Sequence, residues 1–209
     1  MLSVRVFFKK QGALSYISHL DLNRAVLRAF ARSELPVVYS EGFNPHPRLT
    51  FSQPMSLFQE SLTEIFDFKV DPDIPYDEIQ NKLSAALPKA LEITKVAAPV
   101  KKLTEITYAL YYITIMGDTA KVADILKGEI VVFRSTKSKS EYVDISNQIK
   151  SADVINIDGG VRIEAVLSTS PTDYLNPQYI IDYLSKNIEA FDSKILRVKM
   201  YDSDMKEFE

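Results

Sequence analysis

The feature that most constrains the fold is a switch in hydrophobic period close to the start of the chain. Val4, Val6 and Phe8 alternate with their neighbours at a period of two, which is typical of a β-strand that lies against a core. Farther along the chain, apolar residues recur at helical spacing. They are Leu22, Ala25, Val26, Ala29 and Phe30. A strand over residues 2–9 is therefore predicted to be followed by an amphipathic helix.

This helix has a start signal and a stop signal. Ser18 is predicted to be the N-cap, and Asp21, three residues later, can return a hydrogen bond in a variant of the capping box. Pro36 cannot continue a helix. The helix is therefore predicted to run over residues 19–33.

The rest of the first half contains short extended segments and one further helix. Strands are predicted at residues 37–39, 49–52, 63–70 and 92–97, with a rigid loop at 42–47 and a helix at 76–87. The order is strand, helix, strands, helix, strand. This order predicts a ferredoxin-like (βαββαβ-type) sandwich with helices on one face of an antiparallel sheet.

After Pro99-Val100-Lys101-Lys102 a similar order restarts, and Asp158-Gly159-Gly160 is a strong hairpin signal. Strands are predicted at 107–116, 130–134, 142–145, 154–157, 161–167 and 195–201, and helices at 120–126 and 176–187. The sequence thus predicts an α+β protein with two ferredoxin-like halves. The predicted domains are 1–99, which carries the motifs described below, and a less regular 103–209.

Composition is that of an ordinary globular protein, since 46% of the 209 residues are hydrophobic and 25% are charged. No apolar run approaches the roughly 18–20 residues of a membrane span, and Arg5 interrupts the apolar start that a secretory signal would need. The chain has no cysteine, which excludes disulfides, thiolate zinc sites and iron–sulfur ligation by its own residues. A cytoplasmic protein with no membrane partner is expected.

Charge is distributed unevenly along the chain. Residues 1–48 contain seven basic and three acidic side chains, a net charge of +4, whereas residues 49–209 carry −7. A basic lobe on an acidic body can bind an anion locally without a general attraction to polyanions. DNA is therefore not an expected partner.

The only two histidines are His19 and His46, and each lies in a dense polar motif. Histidine readily exchanges protons or binds metals near neutral pH. One hypothesis is a metal pair completed by Asp21 or Glu41, although no His-Glu-x-x-His spacing is present. Another is an acid and base for cleavage of an RNA backbone, with His19, His46 and Asp21 as the catalytic candidates.

Arg24, Arg28 and Arg32 recur every four residues, so their guanidinium groups form a stripe that drifts only about 40° per step along the helix. The stripe is either a solvated face beside the core or a phosphate-binding track. The helix start at Ser18 and His19 would add backbone donors for an anion.

Two loops could also contact a substrate. In Asn44-Pro45-His46-Pro47 the prolines restrict the backbone on both sides of the imidazole, which favours either a structural turn or a presented ligand contact. A secondary basic loop is predicted around Arg134, Lys137 and Lys139, and it is either solvated surface or a nucleic-acid contact. Phosphate-binding, dinucleotide-binding and serine-hydrolase glycine motifs are absent.

These motifs resemble the radical-SAM-associated domain family of unknown function. The resemblance rests on Lys10-x-Gly12, Ser18-His19-Leu20-Asp21-Leu22-x-Arg24, Arg28-Ala29, Leu35-Pro36-x-x-Tyr39-Ser40-x-Gly42-Phe43-Asn44-Pro45-His46-Pro47, Ser61-x-x-Glu64 and Asp67. It is looser beyond about residue 70, at Arg134, Lys137, Val143-Asp144-Ile145 and Leu175-Asn176-Pro177. Members often have arginine where this chain has Ser146.

The resemblance implies an accessory role beside a radical SAM partner. Such a partner carries an iron–sulfur cluster and S-adenosylmethionine and, through a cobalamin-binding-like region, cobalamin. This chain would bind none of these cofactors, and without cysteine it cannot be the catalytic subunit of that chemistry. Because members often neighbour ribosome- and RNA-processing genes, the resemblance also implies structured RNA, either tRNA or rRNA, as a partner.

Three hypotheses follow. The first is an accessory module that binds RNA through Ser18, His19, Arg24, Arg28, Arg32, Tyr39, Ser40, Asn44, His46 and Arg48. The second is a metal-independent RNA-processing enzyme with His19 and His46 as acid and base, which resembles CRISPR repeat-processing endoribonucleases only by fold and by a histidine on the first helix. The third is a scaffold that docks on its partner through the acidic second half without touching nucleic acid.

Overall fold

A computed structural model describes residues 1–135 and 140–209. The chain forms two compact units. The first unit comprises Met1–Glu105 together with Glu209, and the second unit comprises Ile106–Phe208. Within the described ranges, no helix combines the length and the apolar character that a bilayer crossing requires.

The first unit has the order strand, helix, strand, strand, helix, strand. Its elements are β1 (Leu2–Lys10), α1 (His19–Ser33), β2 (Thr50–Phe51), β3 (Glu60–Val70), α2 (Tyr76–Ala86) and β4 (Ile93–Ala97). The sheet order is β4-β1-β3, with β2 paired to β3, and the pairs are antiparallel. This is the ferredoxin-like arrangement that the sequence predicts.

The core of the first unit lies between this sheet and its two helices. Alternate residues of the two central strands, together with the apolar stripes of the helices, form one cluster; its members include Val4, Val6, Phe8, Phe66, Phe68, Leu22, Val26, Phe30, Ile79 and Leu83. Phe66 is at its centre, with ring-centroid distances of 5.6 Å to Phe8 and 5.5 Å to Phe51. The two-residue period of the strands places every second side chain in this core.

The second unit repeats the order with an insertion. Its elements are β5 (Tyr108–Asp118), α3 (Val122–Ile125), β6 (Val131–Ser135), β7 (Ser140–Asp144), β8 (Ile149–Ile157), β9 (Gly160–Ser168), α4 (Gln178–Leu184) and β10 (Glu189–Tyr201). The sheet order is β10-β5-β9-β8, again antiparallel, and β6 and β7 form a separate two-stranded sheet. The prediction of two α+β halves with antiparallel sheets is confirmed.

The inserted sheet is closed at its base by hydrogen bonds to Asp144. One carboxylate oxygen accepts hydrogen bonds from the backbone N–H of Ser146 at 2.9 Å and from its hydroxyl at 2.6 Å. The Ser146 hydroxyl oxygen in turn accepts from the Ile130 N–H at 3.0 Å. The Val-Asp-Ile motif therefore has a structural role at this position.

Several predicted elements differ in extent. Residues 37–39 do not form a strand, because only isolated bridges join Val37 to Val70 and Tyr39 to Pro47. The helices predicted at 120–126 and 176–187 are shorter, Val122–Ile125 and Gln178–Leu184. The final strand begins earlier than predicted, at Glu189.

Candidate functional site

The N-terminus of α1 has the cap that the sequence predicts. The Ser18 hydroxyl accepts a hydrogen bond from the Asp21 N–H at 3.1 Å and donates one to the Asp21 carboxylate at 2.7 Å. The Ser18 hydroxyl and the neighbouring Arg24 guanidinium, which is 3.2 Å from the carboxylate, hold the pKa of Asp21 below its usual value. Asp21 thus completes the cap and pairs with Arg24.

The His19 ring is exposed and packs edge-to-face on Phe51, with ring centroids 4.9 Å apart at 89°. Phe51 belongs to β2 and contacts Phe66 in the core. The aromatic edge contact fixes the orientation of the imidazole on the first residue of α1.

His46 is held by its own loop. Its Nδ1 lies 3.1 Å from the Ser40 hydroxyl and 3.2 Å from the Asn44 carbonyl oxygen. The backbone is fixed by two further bonds, since the His46 N–H donates to the Ser40 hydroxyl at 3.1 Å and the Ser40 N–H donates to the His46 carbonyl at 2.8 Å. These bonds occupy Nδ1 and leave Nε2 as the ring nitrogen available to a ligand.

The two imidazoles therefore have separate neighbours, and within the described part of the chain no hydrogen bond joins them. Over the same residues, no group of three histidine, aspartate or glutamate side chains is arranged to hold a metal ion. The sequence contains no cysteine. The two histidines are thus separate exposed side chains, each with its own neighbours.

The arginine stripe is divided among three environments. Arg24 pairs with Asp21, as described above. Arg32 donates a hydrogen bond of 2.6 Å to the Ala86 carbonyl at the end of α2, and so it holds the two helices together. Arg28 is exposed and has no ion pair or hydrogen bond with any residue that the structure describes. It is the member of the stripe that can bind an anion without losing an internal contact.

Exposed aromatic side chains lie beside these motifs, and only Tyr39 among them was predicted as a site residue. Tyr16 and Phe58 are 69% and 70% exposed and pack edge-to-face with ring centroids 5.7 Å apart. Phe43 and Tyr39 of the His46 loop are also exposed. Phenylalanine in a sequence is normally assigned to the core, so no sequence signal separates Phe58 from the buried phenylalanines.

The Tyr16–Phe58 pair is supported by a rigid frame. Phe58 has the left-handed backbone angle φ 65°, which is costly for a bulky residue, and its N–H donates to the Ser15 carbonyl at 2.7 Å. The buried Lys10 ammonium donates to the carbonyls of Met55 and Ser56 at 3.3 and 3.0 Å. Lys10 therefore positions the segment that presents Phe58 to solvent.

The remaining predicted residues fall in two places. Arg48 is exposed, and its backbone N–H donates to the Val38 carbonyl at 3.1 Å. Arg134 lies in strand β6, where its guanidinium stacks 5.1 Å from the Tyr179 ring centre and donates to Gln148. The strand predicted at residues 130–134 therefore contains Arg134 as expected, whereas its assignment to the secondary basic loop is wrong. Lys137 and Lys139 lie outside the described residues.

Comparison with protein families shows the family to which the chain belongs. Residues 3–177 match the family described as "Uncharacterized protein conserved in bacteria (DUF2344)". The chain therefore belongs to this family. A comparison with curated proteins finds no match.

Among solved structures, the acetolactate synthase small subunit from Thermotoga maritima is similar to this chain at 12% sequence identity and a TM-score of 0.29. The similarity covers 93% of this chain and 92% of that chain. A likeness of this degree carries no inference about function.

Proposed function

We propose that this protein is an accessory subunit that binds structured RNA through its first unit and presents it to a radical SAM partner. The observation that carries the proposal is that exposed aromatic rings and exposed cations both occur between residues 16 and 58. Tyr16, Phe43 and Phe58 are the most exposed rings of this stretch, and Arg28 and Arg48 are exposed in the same stretch.

This combination suits RNA that has unpaired bases. Bases in loops, bulges and ends stack on aromatic side chains, whereas arginine and lysine contact the phosphates. Each stacked base contributes about 1–3 kcal/mol to binding. Phe58 is exposed although its backbone conformation is strained. Neither feature stabilises the fold, so the two together support a role in binding.

The radical SAM partner is proposed from the sequence resemblance described above. Because the chain has no cysteine, the cluster and its chemistry would belong entirely to that partner. The His19 and His46 rings would then contact the RNA, His46 through Nε2, because its Nδ1 is occupied within the loop. The structural role of Arg32 removes this residue from the proposed contact surface, since its guanidinium bonds Ala86.

The test is retention of RNA by the purified protein after crosslinking in cells. The Tyr16→Ala/Phe58→Ala variant should retain at least about tenfold less RNA, because two stacking rings are removed. Tyr142→Ala, which removes an exposed ring of the second unit, is the matched control and should retain RNA as the wild type does. Arg28→Ala should lower the slope of log affinity against log salt by about one unit.

The other outcomes separate the alternatives. If the wild type retains no more RNA than an unrelated control protein but still retains a partner protein, the RNA proposal is wrong and a docking scaffold remains. If RNA is bound and shortened, and His19→Ala and His46→Ala stop shortening but not binding, the protein is an enzyme. Arg32→Ala is unsuitable for testing binding. The variant loses the hydrogen bond to α2 and with it some stability, so that weaker RNA retention would not show that Arg32 contacts RNA.

A further inference from the structure

We propose that a cleft on the face of the first unit's sheet opposite α1 and α2 binds a small phosphorylated ligand of about nucleotide size. The cleft has a volume of about 730 Å³, and Ser3, Thr50 and Lys69 lie on its sheet side, with Arg48 and residues 99–102 at its borders. Volumes of roughly 300–1,000 Å³ are typical of small-molecule sites.

Strand register explains why polar residues gather on this face. Ser3 lies opposite Lys69, and Arg5 lies opposite Asp67 in the β1–β3 pair, while Thr50 of β2 lies opposite Asp67. Since successive side chains point to opposite faces of a sheet, the alternate residues of these strands enter the core and these remain outside it. The cleft is therefore built on the sheet itself.

The cleft has an excess of positive charge. Its carboxylates belong to Asp67 and Glu105, and its cations to Arg48, Lys69, Lys101 and Lys102. Asp67 is neutralised by the fully buried Arg5, which donates two parallel hydrogen bonds of 2.8 Å to the carboxylate. This bidentate ion pair compensates the charge of the Asp67 carboxylate, so that Asp67 repels an anionic ligand less.

Three of the cations are available to a ligand. Arg48, Lys69 and Lys102 are exposed, and none of their side chains has an ion pair or hydrogen bond with another residue in ranges 1–135 and 140–209. They come from three different segments of the chain. In a chain with a net charge of −3, unpaired cations around one cleft are a local arrangement and do not follow from overall composition.

The segment that borders the cleft is held in place before a ligand arrives. Arg5 donates a hydrogen bond of 2.7 Å to the Lys101 carbonyl. The Lys102 N–H donates to the Glu105 carboxylate at 2.7 Å, and the Glu105 N–H donates to the Lys102 carbonyl at 2.9 Å. A fixed backbone lowers the ordering cost that a ligand would otherwise incur.

Phosphate is the ligand chemistry that this arrangement favours. A phosphate dianion has several acceptor oxygens, which can be shared by an arginine fork and by lysine ammonium groups from different directions. The Arg48, Lys69 and Lys102 groups supply that mixture. The neighbouring exposed Val100 gives the cleft an apolar border for the organic part of the ligand.

The test is calorimetric titration of the full chain with inorganic pyrophosphate, with adenosine 5′-monophosphate and with a short RNA oligonucleotide. Wild type should bind pyrophosphate or the mononucleotide. Lys69→Gln/Lys102→Gln should weaken this binding at least about tenfold, since each charge-assisted contact contributes roughly a factor of ten. Lys89→Gln removes one exposed lysine from the loop after α2. It is the control for each of the single variants Lys69→Gln and Lys102→Gln, and it should change affinity less than about twofold.

Each other outcome overturns the proposal. Binding that is lost equally in Lys89→Gln would show a general charge effect, and binding of RNA alone would assign the cations to a polymer contact. If no binding heat is detected with pyrophosphate, the mononucleotide or the RNA, the cleft is not a phosphate-binding site. Arg48 takes part in both proposals, but Lys69 and Lys102 are not among the residues proposed to contact RNA. The Lys69→Gln/Lys102→Gln variant therefore tests the cleft separately from the RNA proposal.

Discussion

The two units share one strand order but differ in the segment between their first helix and their second strand. In the first unit this segment, residues 34–49, contains the His46 loop and leads into a strand of only two residues, Thr50–Phe51. In the second unit it contains the β6–β7 sheet and leads into the nine-residue strand Ile149–Ile157. The connection between the first helix and the second strand of the sheet therefore has a different structure in each unit.

This difference shows where the shared scaffold tolerates variation. In both units these segments contain local hydrogen bonds, such as Ser40 with His46 and Ser146 with Asp144. Exposed aromatic side chains occur in both insertions, Phe43 in the first and the Phe133–Tyr142 pair in the second. Connections between elements can change without disturbing a core.

The cores also differ in chemistry. Four phenylalanines contact Phe66 in the first unit. The second unit has mainly aliphatic buried residues, such as Ile113, Ile163 and Leu184. Its first helix has four residues against fifteen in α1. The stability of the second unit should therefore depend more on its sheet.

The largest expected effect comes from Phe66→Ala, which should lower the free energy of unfolding by about 3–5 kcal/mol because a large cavity is left in the aromatic cluster. If the units are independent, hydrogen exchange should accelerate in β1 and β3 but not in β9. Ile163→Val, a smaller deletion in the second core, should cost only about 0.5–1.5 kcal/mol. Equal acceleration throughout the chain in both variants would contradict independence.

A smaller effect is expected from a pair of glycine substitutions. A Cβ at Gly160 would lie 2.1 Å from the Ile115 carbonyl oxygen, so Gly160→Ala must shift β5 or β9 and should cost about 2–3 kcal/mol. Gly12 has φ 56° but open space around it, so Gly12→Ala should cost only about 1 kcal/mol. Denaturant unfolding of both variants measures the two losses of stability. A larger loss for Gly12→Ala than for Gly160→Ala would contradict this prediction and would mean that β5 and β9 shift at little cost.

The smallest effects concern two matched serines. Ser18→Ala should cost about 1 kcal/mol through loss of the helix cap, and Ser146→Ala a similar amount. The Ser18 and Ser146 hydroxyls hold the pKa values of Asp21 and Asp144 below the usual range. Each carboxylate therefore adds stability above its unfolded pKa, and this contribution is lost as pH falls through the lower folded pKa.

Titration of the carboxyl carbons by NMR checks this expectation. Ser18→Ala should raise the pKa of Asp21 towards the ordinary value and leave that of Asp144 unchanged, while Ser146→Ala should do the reverse. Arg24→Ala should raise the pKa of Asp21 less, because the serine hydrogen bond is the largest cause of its depression. Unchanged pKa values in both serine variants would contradict the hydrogen-bond assignment.

Much of the fold could be predicted because its signals are local. The start and end of α1, the Ser18 cap and the alternation of β1 depend on residues within a few positions of one another. The segment at residues 37–39 was predicted wrongly as a strand. Its apolar run fits a strand, but the chain pairs back on itself through Ser40 and His46, so only isolated bridges form.

The candidate site was less predictable because its decisive partners are distant in sequence. The three arginines of α1 have the same spacing and chemistry, yet the Arg32 partner, Ala86, lies 54 residues away. Phe58 and Phe66 are both phenylalanines in one short stretch, and one is 70% exposed whereas the other is fully buried. Burial depends on long-range packing, which composition and local spacing do not determine.

The sequence by itself determined the ferredoxin-like order of elements, the capped first helix, the absence of thiolate chemistry and the basic character of the first 48 residues. Each of these follows from residue type or from contacts within a turn or two. Only the tertiary structure decided that Arg28 is available while Arg32 is not, and that Arg48, Lys69 and Lys102 border one cleft whose Asp67 carboxylate is neutralised by Arg5. Strand pairing brings these distant residues together, because a sheet joins segments that are neighbours in space and not in sequence.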